Sequence, residues 1–387
     1  MAKKTVIVLT GGGLAPALNP TLYGVITAAR KQGYRVLGGV AGWLSLLEDG
    51  RRIDLSNVDV ESIRNMGGTF LRSSRTNPFK VAGGVDAIKA TLNREGIDAI
   101  IAIGGNDTLG AARELARKEG IPAVGIPKTI DNDLSGTYWC PGFPSAAHYI
   151  SSFVREIRED AAYALQRIYV IEALGMHSGW LAASGSYGGA DVIIPPEKTV
   201  SLQSVLKITQ RRYRDNDNFA AVVVAQEAQF DEPLGVSYDD QHDQYSTKRQ
   251  QYIALSLRAV IAEKLGITTR MLYPGNYFET GAPIPVDRDY AIQLGTFAVG
   301  LVRDGHFGTM ASLRRPDARG VQLEVVRESL DEVVGEDKLR KLPPGMFDYK
   351  KLRVTQKFFD YMEPALGKYA PPDSDYHRLL TLVRKGK

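Results

Sequence analysis

Residues 98–133 read DAIIAIGGNDTLGAARELARKEGIPAVGIPKTIDND. An apolar run, DAIIAI, ends in two glycines. A helix-like segment follows, then a second apolar run, PAVGI, and then a loop that holds Lys128, Asp131 and Asp133 within six residues. Continuous apolar runs of this length suit strands covered on both faces. Their alternation with helical patterns predicts parallel strands joined through helices. The pattern recurs outward in both directions. TVIVLT (5–10) leads into GGGLAPALNP and the helix-like TLYGVITAARKQG, and RVLGGVAG follows. Later come RIYVIEALG (167–175), AAVVVAQE (220–227) and GTMASLR (308–314). The predicted fold class is therefore α/β with mostly parallel sheets. Ligands in such folds bind at the carboxyl ends of the strands, so PKTIDND (127–133) is expected to face a crevice. Two readings of the loop stay open at this point. One is a surface turn, because Asp and Asn favour turns through local hydrogen bonds. The other is a site that handles metal and phosphate.

Composition narrows the function classes. The 387 residues are 44% hydrophobic and 24% charged, ordinary for a soluble globular protein of about two domains. The net charge of +4 is small and dispersed, which argues against a nucleic-acid partner. The basic tip VRKGK reads as a solvated tail. A single cysteine, Cys140, allows no intrachain disulfide and no cysteine cluster for zinc. The N-terminal apolar run is too short for a secretory signal and ends in glycines. No stretch approaches the roughly 20 apolar residues of a membrane helix. The expectation is a cytoplasmic, soluble protein with no membrane partner. The polar stretch 230–250 reads as a long insertion or mobile loop. The tail from about residue 330, with LPPG and APPDSD, is expected to wrap the body through Phe358, Phe359 and Leu366.

Four loops carry candidate chemistry. Gly11, Gly12 and Gly13 follow a strand and precede a helix, where glycines let backbone amides approach a phosphate; a bare structural turn is the plainer reading. Gly104 and Gly105 repeat the geometry, with Asn106, Asp107 and Thr108 opening the helix. Capping accounts for one of those three polar residues but not for all of them. GGTFLRSSR (67–75) brings Arg72 and Arg75 after two glycines, either a solvated loop or an arginine clamp on phosphoryl oxygens. EALGMHSGW (172–180) places Glu172, Gly175, His177 and Gly179 after a strand; His177 alone reads as a structural histidine.

Taken in order, LTGGG with Asn19, GGTFL, GGNDT, TIDND, HSGW and GAPIPVDR (281–288) make the chain resemble the phosphofructokinase family from about residue 5 to about residue 313. The resemblance implies a phosphofructokinase-like fold of two three-layer α/β domains with the active site in the cleft between them. It divides the chain into a phosphoryl-donor domain, 1–142 plus 275–312, and an acceptor domain with C-terminal extension, 143–274 plus 313–387.

Residue by residue, the resemblance implies that Asp131 is the base that takes the proton of the attacking sugar hydroxyl. Asp133 orients it, Thr129 contacts substrate, and Arg75 and the Gly12 amide meet the transferring phosphoryl group. Gly13, Gly105, Asn106, Asp107 and Thr108 line the donor. ATP-using members carry glycine where this chain has Asp107 and Lys128, so the pair resembles the pyrophosphate-dependent branch, with Lys128 taking a catalytic role against a compact anion. Magnesium would be held by Asn106, Asp107 and Asp133, although Asn106 stands where the family has aspartate. Leu14 and Met176 are further departures. On the acceptor side the matches are Arg167 (reaching across from a neighbouring subunit), Gly175, Met176, His177, Glu227 and Arg270, with Asn276 and Tyr277 in the final clamp. Asn276 and Glu279 stand where the family has His and Arg. The expected activity is phosphoryl transfer from pyrophosphate to fructose 6-phosphate by a homodimer or homotetramer. Alternatives are an unphosphorylated sugar, polyol or nucleoside as acceptor, ATP or ADP as donor, or a noncatalytic sugar-phosphate-binding subunit. An oxidoreductase would want G-x-G-x-x-G and a following acid, which the first loop lacks.

Overall fold

The computed structural model describes residues 4–162, 166–235, 252–316 and 322–369. The strands in chain order are β1 (Thr5–Thr10), β2 (Arg35–Gly39), β3 (Arg52–Asp54), β4 (Ala99–Gly104), β5 (Ala123–Pro127), β6 (Ile168–Ala173), β7 (Val192–Ile194), β8 (Ala220–Ala225), β9 (Thr269–Leu272), β10 (Thr309–Arg314), β11 (Glu324–Ser329), β12 (Phe347–Asp348) and β13 (Arg353–Val354). The helices are α1 (Leu18–Lys31), α2 (Gly84–Glu95), α3 (Asn106–Glu119), α4 (Phe143–Asp160), α5 (Trp180–Ser184), α6 (Leu202–Asp215), α7 (Ile253–Leu265), α8 (Tyr277–Thr280), α9 (Pro285–Arg303), α10 (Leu330–Val333) and α11 (Gln356–Leu366). The chain belongs to two compact units, 1–146 with 276–340 and 147–275 with 341–387.

The first unit holds a seven-stranded sheet in the order β11-β10-β5-β4-β1-β2-β3. Its five inner strands run parallel, and the edges β3 and β11 are antiparallel. Every residue of β1 and β4 is buried, as the unbroken apolar runs predict for strands covered on both faces. The chain goes from β1 to one side for β2 and returns to the other side for β4 and β5. That reversal leaves a switch point between β1 and β4, where open α/β sheets bind ligands. α1 buries Leu18, Leu22, Val25, Ile26 and Ala29, an apolar stripe at helical spacing.

The sequence reading assigned residues 313–340 to the acceptor half. In the structure β11 pairs with β10 along Thr309–Arg314, and residues through 340 lie in the first unit. Asp287, from the GAPIPVDR motif, is buried and accepts hydrogen bonds from Gly142 N, Ser145 N and Ser145 Oγ at the start of α4. Burial raises its carboxyl to about 6 against those hydrogen bonds. The motif thus serves as a helix cap here.

The second unit is a four-stranded parallel sheet, β7-β8-β6-β9. From the tail, β12 and β13 form a small antiparallel pair, and Leu352 O accepts from Ile193 N of β7. α11 buries Phe358, Met362 and Ala365. Trp180 meets Tyr361 with ring centroids 4.7 Å apart, and Tyr187 meets Phe359 at 5.3 Å. Most of the 230–250 stretch, and the APPDSD segment, lie outside the described residues.

Candidate active site

The two glycine turns close the adjacent strands β1 and β4. Gly11 N donates to Ile103 O at 2.9 Å, and Lys128 N, just past β5, donates to Gly104 O at 3.0 Å. A Cβ at Gly11 would come within 2.4 Å of Thr108 Oγ1, and one at Gly104 within 2.4 Å of Thr108 Cβ. Thr108, expected among the donor contacts, is buried in the space those two glycines leave. It locks one turn against the other. Gly12 has φ +84°, a left-handed conformation that favours glycine. Its amide donates to Ser74 O at 3.0 Å, and its carbonyl accepts from Ser73 Oγ at 2.6 Å. The Gly12 amide expected to meet a phosphoryl group is thus bonded to the 67–75 loop, which it fixes beside the turn.

Lys128 is buried, and its Nζ donates to Gly13 O at 2.5 Å. A Cβ at Gly12 would lie 3.5 Å from that Nζ, and one at Gly13 would lie 3.7 Å from Glu279 Oε1 on α8. Burial pushes the Lys128 ammonium down to about 8, while Asp131, Glu279 and Asp133 pull the other way. Burial likewise pushes the Asp131 carboxyl up to about 7. Asp133 and Glu279 add to that rise; Lys128 and the Thr129 hydrogen bond oppose it. Thr129 Oγ1 accepts from Asp131 N at 3.0 Å. One lysine thus stands among three carboxylates at the ends of β1 and β5. A carboxyl with a near-neutral pKa is suited to general-base work, and a buried ammonium to neutralising a compact polyanion.

The remaining donor-side residues are spread around this cluster. Asn106 Oδ1 accepts from Gly335 N at 3.0 Å, so the side chain expected to hold metal caps a turn before residue 336. Asp107 is exposed in the first turn of α3. Gly105 borders Lys128 O, 3.7 Å from where its Cβ would stand. Arg75 is exposed, and Arg72 has φ +61°. No group of three or more His, Cys, Asp or Glu among the described residues is arranged to hold a metal by itself.

Arg340 carried no signal in the sequence. Its backbone N donates to Asp133 O at 2.5 Å. Its guanidinium donates to Asn132 O, Asn132 Oδ1, Thr137 O and Tyr138 O at 2.5–3.0 Å. The acceptors are mostly backbone carbonyls some 200 positions away, which no local motif records.

The second unit distributes the acceptor-side residues differently. Gly175 (φ +129°) and the exposed Met176 (φ +48°) follow β6. His177 Nδ1 lies 2.5 Å from Glu227 Oε2 just beyond β8. Arg167 precedes β6 at its opposite end, buried over the Tyr169 ring. Arg270 is exposed on β9, in register with Tyr169. At about 3.3 Å per residue, the backbone of Arg167 stands roughly 20 Å, and that of Arg270 roughly 13 Å, from the end of β6 that His177 and Glu227 follow. Asn276 and Tyr277 are exposed in the first unit, next to Glu279. Glu197 also went unnoticed in the sequence. It accepts from Gly179 N at 2.7 Å and Leu342 N at 2.8 Å, and so ties the HSGW turn to the tail.

Glycine turns at a switch point, with a lysine among carboxylates, suit the class of α/β proteins that handle phosphate. The family model Phosphofructokinase matches residues 5–302, and the chain belongs to the phosphofructokinase family. It is 38% identical over 88% of its length to 97% of a pyrophosphate–fructose 6-phosphate 1-phosphotransferase of Amycolatopsis methanolica. It is 34% identical over 89% of its length to 96% of an ATP-dependent 6-phosphofructokinase of Corynebacterium efficiens. Its fold matches a crystal structure of a pyrophosphate-dependent phosphofructokinase from Marinobacter aquaeolei with a TM-score of 0.82 at 24% identity, covering 95% of this chain and 92% of that one.

Proposed function

We propose that this protein transfers a phosphoryl group from pyrophosphate to fructose 6-phosphate, giving fructose 1,6-bisphosphate and phosphate. The observation that carries the reading is the cluster of Lys128, Asp131 and Asp133 at the glycine turns. Asp131 accepts the proton of the attacking hydroxyl, Asp133 sets its field, and Thr129 orders the loop through the Asp131 amide. Lys128 neutralises the pyrophosphate, and Arg75 reaches the transferring group. Lys128 and Asp107 occupy room that a nucleotide would need. Magnesium would be held by the carboxylates of Asp107 and Asp133 together with donor oxygens, hard ligands of the kind this cation prefers, and would there neutralise phosphate charge. Asn106 is left out of that set because its oxygen caps Gly335.

Arg167 and Arg270 receive the sugar phosphate, and Gly175, Met176, His177 and Glu227 the rest of the acceptor. Their separation along β6 supports a site completed by a second copy, hence a homodimer or homotetramer. A cytoplasmic location fits the single buried Cys140. A second reading, an acceptor without its phosphate, is supported by one feature of the sequence: Asn276 and Glu279 stand where the family has His and Arg. Transfer assays with pyrophosphate, ATP and ADP, each against fructose 6-phosphate and against free sugars and inositol, test both. Turnover with pyrophosphate and fructose 6-phosphate is expected. Turnover with ATP alone would overturn the donor assignment, and a preference for uncharged acceptors would establish the second reading.

A further inference from the structure

We infer that Arg340 is a positioning residue that sets the two carboxylates of the 131–133 loop, an inference that rests on the reaction proposed above. Asn132 lies between Asp131 and Asp133 in sequence, has φ +54° and is fully buried. Its side-chain oxygen accepts from Cys140 N at 3.0 Å and from Arg340 at 2.5 Å. The Arg340 guanidinium also donates to the carbonyls of Asn132, Thr137 and Tyr138, and its backbone amide donates to that of Asp133. Asn132 is the residue between the two aspartates, so the bonds that fix its backbone and side chain also fix the backbone positions from which Asp131 and Asp133 project.

The bond count suits a planar guanidinium and no other side chain. Its forked donors serve four oxygens at once, whereas a lysine offers one point charge. A left-handed asparagine costs on the order of 1 kcal/mol or more, so the loop conformation needs an outside constraint. Arg340 supplies it from a segment some 200 positions further along the chain.

The test uses Arg340→Ala and Arg340→Lys in the full-length protein, beside the wild type with whichever donor and acceptor it turns over. The expected result is a fall in kcat of roughly 30-fold or more in both variants, with both KM values within about threefold of wild type. Guanidinium added in solution restores kcat in Arg340→Ala and not in Arg340→Lys. Calorimetric binding of pyrophosphate should stay within the same threefold. Should Arg340→Ala fail to fold, the kcat of Arg340→Lys, which keeps the charge and much of the stem, decides the question. Unchanged kcat in the lysine variant, or a loss confined to KM, would overturn the inference. Inactivity of the wild type with pyrophosphate and fructose 6-phosphate would instead count against the reaction, since the same comparison then runs with the true substrates.

Discussion

The two units organise their charged residues in opposite ways. In the first, Lys128, Asp131, Asp133 and Glu279 sit close enough that burial and mutual fields move two of their titrations towards neutrality. In the second, Arg167 and Arg270 lie at one end of the sheet while His177 and Glu227 lie at the other. Parallel strands explain both. Loops at the carboxyl ends of neighbouring strands converge without further help, which gathers the glycine turns and the TIDND loop. Residues at the amino ends of the same kind of sheet are a strand length away and cannot join that gathering. On the proposed reading a compact anion is met by one unit's loops, whereas an acceptor that draws on both ends of β6 needs a second copy.

The hardest blow to this contrast would be an inert first cluster. Asp131→Asn should lower kcat by roughly 10²–10⁴-fold, the usual worth of a positioned base, with the thermal transition unchanged. If the variant keeps most of its activity, the gathered charges are not the reacting centre. Next, Arg167→Ala and Arg270→Ala should each raise the KM for fructose 6-phosphate roughly 10–100-fold, the worth of a charge-assisted hydrogen bond, and leave that for pyrophosphate alone. Mixing Asp131→Asn chains with Arg167→Ala chains should then recover activity, because each mixed assembly can pair an intact base with an intact arginine. No recovery would mean that a single copy completes its own acceptor site.

The first unit was the more legible in the sequence, for a physical reason. Buried parallel strands must be continuously apolar, so TVIVLT, DAIIAI and PAVGI announce themselves, and the glycine turns mark their carboxyl ends. Lys128 and Asp131 were readable from their place after such a strand. What the sequence hid is what depends on distant backbone. Thr108 reads as a ligand contact but fills space against Gly11 and Gly104. Asn106 reads as a metal ligand but caps Gly335. Arg340 reads as an ordinary charge in a polar stretch, because most of its acceptors are backbone carbonyls, which every residue possesses. The placement of 313–340 was lost for a similar reason: an antiparallel edge strand such as β11, half buried, lacks the continuous apolar run of the inner strands.

Glu279 sharpens the contrast through pH. On the proposed roles the Asp131 base works ionised and the Lys128 ammonium works charged, so activity is expected to fall as pH drops through about 7 and again as pH rises through about 8. The Glu279 carboxylate raises both groups. Glu279→Gln should therefore move both limbs of the kcat/KM profile for pyrophosphate to lower pH, by up to about one unit. Limbs that stay in place, or move apart, would show that Glu279 does not share the field of the cluster.

The smallest expected effect tests whether buried charge in the second unit is structural only. Glu172, at the end of β6, is 2% exposed and accepts Ala254 N at 3.1 Å at the start of α7. Burial raises its carboxyl to about 7 and that backbone bond opposes the rise; no lysine or arginine contributes to this shift as Lys128 does to that of Asp131. Because the folded value lies above the unfolded one, the group's contribution is fully present below about 4.5 and is lost as pH rises through about 7. Glutamine has no such loss. Glu172→Gln should thus gain stability relative to wild type between pH 5 and pH 7.5, by at most about 3 kcal/mol, while kcat stays near wild type. A kcat that falls with this substitution would give the second unit a reacting carboxylate of its own, and the division between a gathered chemical cluster and a dispersed binding surface would no longer stand.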